Sequence, residues 1–199
     1  MKYRYRLNII IVTTIIVVAI DQATKYWAWL TLRGTQPQSY FDGILRLSFH
    51  ENPGAFLSLG AEWPQPVRTA VFIGLTSLFL IYLLYYLLTD DLLSRMSVLF
   101  GSMMFAGGIG NLIDRIFFEN GVIDFLYIGY GWLRTGIFNV ADMGVMIGVF
   151  GIFIFGLPSA ENHPDYSDAE SEDIETVPEE LIEAERQPND TSRTIEPEN

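Results

Sequence analysis

Residues 7–30 read LNIIIVTTIIVVAIDQATKYWAWL. From Ile9 to Ile20 only two threonines interrupt the aliphatic residues, and roughly 20 apolar residues in a helix cross the hydrocarbon of a bilayer. The run passes directly into Asp21 and Lys25, with Tyr26, Trp27 and Trp29 beyond, a composition suited to a helix end at the lipid–water boundary. Lys2, Arg4 and Arg6 precede it, so a cleavable signal peptide is the alternative, but no small-residue cleavage site follows the apolar stretch. The reading is a retained membrane helix.

Working outward, three further runs of similar length lie at Val67 to Leu88, Met96 to Ile116 and Ile137 to Leu157. Basic residues flanking a first span stay in the cytoplasm, which places the N-terminus there. Four spans then return the C-terminus to the same side. The formal charge of −12 is localised: residues 158–199 hold fourteen acids against two arginines, while residues 1–157 carry ten of each sign. The division expected is a four-span membrane domain at 1–157 and a cytoplasmic acidic tail at 158–199. The tail has too few apolar residues to offset its ordering entropy and reads as disordered. It serves either as a solvating appendage or as a partner-binding segment. The fold class is thus an all-α membrane protein of four transmembrane helices, with a small extracytoplasmic β-sheet and a disordered acidic C-terminal tail.

There is no cysteine, and His50 and His163 are the only histidines. Thiolate metal sites, disulfides and a Cys nucleophile are therefore excluded, and neither a His-rich metal centre nor a Ser-His-Asp triad has the residues it needs. No metal and no cofactor are expected. The chemistry must come from carboxylates, amides and arginine.

The four-span topology gathers such groups on one side. Asp21 and Lys25 end the first span, Asn111, Asp114 and Arg115 end the third, and Asn139 and Asp142 begin the fourth. Ionisable residues at membrane depth are costly and point to function. Asp142 has no following base in its span. Asp114 and Arg115 either simply neutralise each other or pair with other helices, or they have a functional part, for which an orienting and charge-balancing role suits a permanent cation better than proton transfer. Asp21 and Lys25, four apart, suit an ion pair that anchors the helix, and Lys25 could also meet lipid phosphates.

Two segments fall outside the spans. Leu45 to His50 alternates apolar and polar residues as a half-buried strand does, and leads into Asn52-Pro53-Gly54, where Asn52 is either a turn residue bonding its own backbone or a functional amide. Val122 to Ile128 is apolar with Asp124 at its centre. A carboxylate flanked by Ile123 and Phe125 is poorly solvated, which raises its pKa and suits it to carry a proton, unless it faces water from a short strand.

Two nearby carboxylates that share a proton can activate water against an amide and protonate the departing nitrogen, with no metal or covalent intermediate. The same acids would also serve a proton- or ion-coupled transporter. They crowd one face, however, and the inner halves of the spans offer no continuing path. A scaffold or sensor bundle is a third possibility.

In order, Asp21-Gln22-Ala23-Thr24-Lys25, Asn52-Pro53-Gly54-Ala55-Phe56, Gly108-Ile109-Gly110-Asn111-Leu112-Ile113-Asp114-Arg115, Val122-Ile123-Asp124-Phe125 and Phe138-Asn139-Val140-Ala141-Asp142 resemble the motif blocks of signal peptidase II. The resemblance covers about residues 8–157. It implies a bacterial inner-membrane aspartic endopeptidase that cuts prolipoproteins before a diacylglyceryl-modified cysteine, with Asp124 and Asp142 as the catalytic pair. Asn52, Gly54, Asn111, Asp114, Arg115 and Asn139 would bind and orient the substrate, while Asp21 and Lys25 would be structural. The partners implied are lipid-modified prolipoproteins, membrane phospholipids and globomycin-type inhibitors, with no nucleic acid, for a chain acting as a monomer. The sequence departs from the family pattern at Pro53, where a small polar residue such as Thr is more usual, and in the long acidic tail.

Overall fold

The structure is a computed structural model that describes residues 3–54, 62–118, 121–130 and 132–155. Ala55, Phe56, the end of the fourth apolar run and the whole of 158–199 lie outside the described residues.

Four helices follow the four apolar runs: α1 (Tyr3–Thr31), α2 (Gln65–Thr89), α3 (Arg95–Phe117) and α4 (Val140–Phe155). The first three are long and apolar enough to cross a membrane, and α4 is apolar over its 16 described residues. Many of their residues are β-branched, weak helix formers in water. In lipid, every backbone group must bond internally, and that requirement outweighs propensity. Helix starts carry local signals. Pro66 lies in the first turn of α2, where its missing N–H costs nothing. Ser94 caps α3, its side chain accepting from the Ser97 N–H at 3.0 Å.

The burial pattern is inverted relative to a water-soluble bundle. Ile15, Leu78 and Ile81 are more than 60% exposed, whereas Asp21, Asp114 and Asn139 are fully buried. Lipid tails are as apolar as leucine, so such helices associate through close packing and polar contacts instead of apolar burial. On α4 the buried face is Ala141, Gly144, Gly148 and Gly151, spaced for one side of a helix. A Cβ on Gly148 would sit 2.6 Å from the Phe100 carbonyl oxygen of α3. The α3–α4 approach therefore depends on that missing side chain.

Beyond one end of the helices lies a four-stranded antiparallel sheet, β1 (Gln38–Tyr40), β2 (Leu45–Asn52), β3 (Val122–Tyr130) and β4 (Leu133–Arg134), paired in sequence order. The expected strand at 45–50 is thus present and extends to Asn52, and the Asp124 segment is its partner. Ala28 of α1 and Leu32, just beyond its end, pack with Phe125 of β3, which fixes the sheet to the bundle. The register of β2 against β3 shifts between Leu47 and His50, a bulge next to the polar residues described below.

The helix α4 begins three residues later than the apolar run beginning at Ile137. Phe138 forms a bridge with Leu126 of β3, donating its N–H to the Leu126 carbonyl and accepting from the N–H of Leu126, both at 2.8 Å. Apolar character alone does not separate a bridging residue from the first turn of a helix.

Candidate active site

Asn139 stands where the chain leaves the sheet and enters α4. Its side-chain oxygen accepts from the Asp142 N–H at 3.0 Å, and its own N–H donates to Asp142 Oδ2 at 3.1 Å. This reciprocal pair is a capping box made from Asn and Asp three residues apart. The spacing read from the sequence is therefore first of all a helix start, and it holds the Asp142 carboxylate in a fixed orientation.

The other face of the Asn139 amide points to β3. Its Nδ2 donates to Asp124 Oδ1 at 2.7 Å, and it also lies near Asn111 Oδ1 and the Ile123 carbonyl. Asn111 of α3 donates its Nδ2 to Asp142 Oδ1 at 2.8 Å. Asn52 of β2 donates to Asp124 Oδ2 at 3.0 Å, while its oxygen accepts from the Gly54 N–H. Asn52 shapes the turn with one end and reaches a carboxylate with the other. Pro53, which has no N–H, leaves Gly54 to make that turn contact.

All four oxygens of Asp124 and Asp142 thus accept a hydrogen bond, three from side-chain amides and one from a backbone N–H. Asp124 is 2% exposed. Burial pushes its pKa up to about 6, the Asn52 hydrogen bond opposes the rise, and the charge of Asp142 adds to it. The raised value is the one expected from its position between Ile123 and Phe125.

A second cluster lies behind the first. Lys25 is buried and donates to Asp21 Oδ2 at 2.8 Å, Asp114 Oδ2 at 2.9 Å and Asn111 Oδ1 at 3.1 Å. An ammonium has three protons and no acceptor, so its capacity is filled. The atom of Asn111 facing Lys25 must be oxygen, which leaves the Asn111 NH₂ turned toward Asp142. Asp21 also accepts from the Ala141 N–H at 2.8 Å, and Asp114 from the Ile123 N–H at 3.0 Å. These bonds attach α4 and β3 to the cluster. A Cβ on Gly110 would lie 2.7 Å from Asp21 Oδ2, so the glycine makes room for that carboxylate.

Two expectations need correction. Lys25 does not face lipid phosphates, since three protein partners enclose it. Asp114 and Arg115 do not neutralise each other: Asp114 pairs with Lys25, and Arg115 donates to the carbonyls of Asn111 and Gly54 at 3.2 and 3.3 Å, with its guanidinium over the Phe72 ring. Consecutive residues on a helix point about 100° apart, and different neighbours claim them. Gln22 carries a role the sequence did not reveal. Its Nε2 contacts Asp114 Oδ1, Asp21 Oδ2 and the Gly110 carbonyl. Its place beside Asp21 in a polar turn was the available signal. Among the described residues, no group of His, Cys, Asp and Glu has the arrangement to hold a metal ion.

Comparison with known proteins agrees with this architecture. The family described as Signal peptidase (SPase) II matches residues 13–157. A lipoprotein signal peptidase of Borreliella burgdorferi (strain ZS7) is 32% identical over 152 residues, covering 73% of this chain and 88% of that protein. One from Bifidobacterium adolescentis is 32% identical over 174 residues, covering 84% and 87%. Two solved chains, each described as a bacterial membrane enzyme structure by the in meso method, superpose with TM-scores of 0.65 and 0.62. Their identities to this chain are 27% and 30%, they cover 78% and 74% of it, and 92% of each is matched.

Proposed function

The chain belongs to the signal peptidase II family, and we propose that in it Asp124 and Asp142 share one proton and activate water against the peptide bond preceding the lipid-bearing cysteine of a prolipoprotein. The family's activity, aspartic proteolysis that removes signal peptides from lipoproteins, is that of this multi-pass membrane protein. The observation that carries the residue assignment is that a buried acid, Asp124, and a half-buried one, Asp142, from different elements are linked through Asn139 and Asn111, with Asn52 also on Asp124, so that amides instead of a lysine are their direct partners.

The roles follow from the environments. Asp124, with its pKa near 6, holds the shared proton and donates a hydrogen bond to the scissile carbonyl. Asp142, held by Asn111 and the Asn139 N–H, takes a proton from the attacking water. As the tetrahedral intermediate collapses, a proton passes to the leaving nitrogen and the pair returns to its starting state. Arg115 and Gly54 shape the wall beside Asn111 and orient the substrate backbone. Since β1 covers only Leu45–Leu47 of β2, an extended signal peptide can lie alongside β2 from Ser48 toward the acids.

In this reading four spans leave both termini in the cytoplasm and the acid pair toward the outer leaflet, where a substrate held by its acyl chains diffuses in two dimensions and arrives oriented. In this reading residues 1–157 are the peptidase, acting as a monomer, 158–199 are a cytoplasmic tail, and globomycin competes for the acid pair.

The test is incubation of purified enzyme with a lipid-modified preprotein, scored by gel shift. Wild type converts the substrate and globomycin stops it. Asp124→Asn and Asp142→Asn each lower the rate by about 10³-fold or more, at the upper part of the range for lost acid–base catalysis, while thermal melting in detergent shows an intact fold. Retention of more than a tenth of the activity by either variant rejects the pair.

A further inference from the structure

Asn52 and Asp124 point to one face of the sheet, where Asn52 donates to the Asp124 carboxylate. His50 belongs to that face too. It is two residues from Asn52 along β2, and in the register it stands directly opposite Asp124. Side chains paired in this way across antiparallel strands have Cβ atoms about 4.5–5.5 Å apart. Burial changes sharply over that one step: Asp124 is 2% exposed, whereas His50 is exposed. β3 is flanked on its far side by Phe138 and the start of α4, while β2 loses its outer neighbour after Leu47, the last residue that β1 pairs. His50 is therefore an exposed side chain at the rim of the acid pair.

The fold makes no use of its imidazole. Both Asp124 oxygens are taken by Asn52 and Asn139, and the His50 side chain has no hydrogen bond, ion pair or ring contact among the described residues. The charged groups of the neighbouring elements are engaged elsewhere. Lys25 is enclosed by Asp21, Asp114 and Asn111, and Arg115 holds two carbonyls. Arg33 lies over the Trp29 and Phe49 rings, 3.9 Å from Glu51. Glu51 follows His50 on β2 and so points to the opposite sheet face.

A peptide that pairs with the open edge of β2, running from Ser48 toward the acids, brings one side chain level with His50 on the face of the acid pair, ahead of the bond that is cut. We propose that His50 is a specificity-determining residue: it contacts that signal-peptide side chain and favours a carboxylate there over a cation. The proposal rests on the acid pair and on strand pairing along β2. An imidazole offers an N–H donor in either protonation state, and its cationic form adds attraction for a carboxylate. No partner among the described residues competes for that donor.

The test uses the purified full chain and lipid-modified preproteins that carry Asp or Lys, one position at a time, at the last few residues before the cysteine. Each kcat/KM is divided by that of the unsubstituted preprotein, which cancels any general loss of rate. Wild type should prefer Asp over Lys by about threefold at one position, within the range of an exposed charge contact, and the preference should reside in KM. H50Q should abolish it and H50E should invert it, with the neighbouring positions unmoved. No Asp preference in wild type, a wild-type preference kept by H50E, an equal change at every position, or inactivity of both variants toward every preprotein would overturn the proposal. Asp124→Asn separates the two readings. If the acid pair is misassigned, that variant cuts these preproteins; if only His50 is misassigned, it stays inert while H50E keeps the wild-type preference.

Discussion

Two pairs of carboxylates in this fold are each joined through shared neighbours, and they are treated differently. Asp21 and Asp114 are bridged by the ammonium of Lys25, at 2.8 and 2.9 Å. Asp124 and Asp142 are bridged by amides. A buried ammonium offers its charge to both neighbouring carboxylates, and removing it would leave them buried without a cationic partner. An amide donates a hydrogen bond but carries no charge to hold the proton count. The cation-bridged pair therefore builds the structure, tying α1, α3, α4 and β3 together, while the amide-bridged pair is the one proposed to share a proton.

Breaking the contrast at its strongest point should have the largest effect. Lys25→Met leaves two buried carboxylates unpaired and should cost about 3–5 kcal/mol, read as a fall in denaturation midpoint in detergent. Asp124→Asn should cost far less stability while removing activity. If Lys25→Met is as stable as wild type, the structural role assigned to the cluster is wrong. Gly110→Ala should cost about 1–3 kcal/mol by pressing on Asp21, in the range for overpacking. A midpoint unchanged from wild type would mean that Asp21 can move aside.

The proton proposed for the other pair gives a pH signature. Asp124 has a pKa raised above the ordinary carboxylate value, so its neutral form persists to about pH 6 and is lost as pH rises further. On the proposed mechanism the shared proton leaves with it, and kcat/KM should fall about tenfold per pH unit above that point. A profile flat to pH 8 contradicts this. Asn52→Leu sharpens the same point with the smallest effect: it removes a donor that favours the charged form, so the alkaline limb should move to higher pH by up to about one unit.

The long spans were legible because an apolar run of bilayer length has few competing explanations. The runs at Leu7 to Leu30 and Val67 to Leu88 became α1 and α2 with slightly extended ends. β1 and β4 were not legible, since strands of three and two residues exist only through pairing with distant segments. Helical spacing showed that Asn111 and Asp114 share a face. It could not show that Lys25 lies across from both, nor that Arg115 turns to Gly54, because what stands opposite a helix face is set by tertiary packing. Arg6 was read as a marker of membrane orientation. In the fold it is 1% exposed and donates to the Asp90 carbonyl at 2.6 Å, at the end of α2. Its charge was visible in the sequence, but its depth was not.

Asn139 begins a helix and reaches one acid with its side chain and the other with its backbone N–H. Fraying of one turn at the start of α4 would therefore part the acids while the rest of the bundle stayed folded. Heat should silence this molecule before it melts it, and whatever steadies that first turn should widen the range of temperature over which it works.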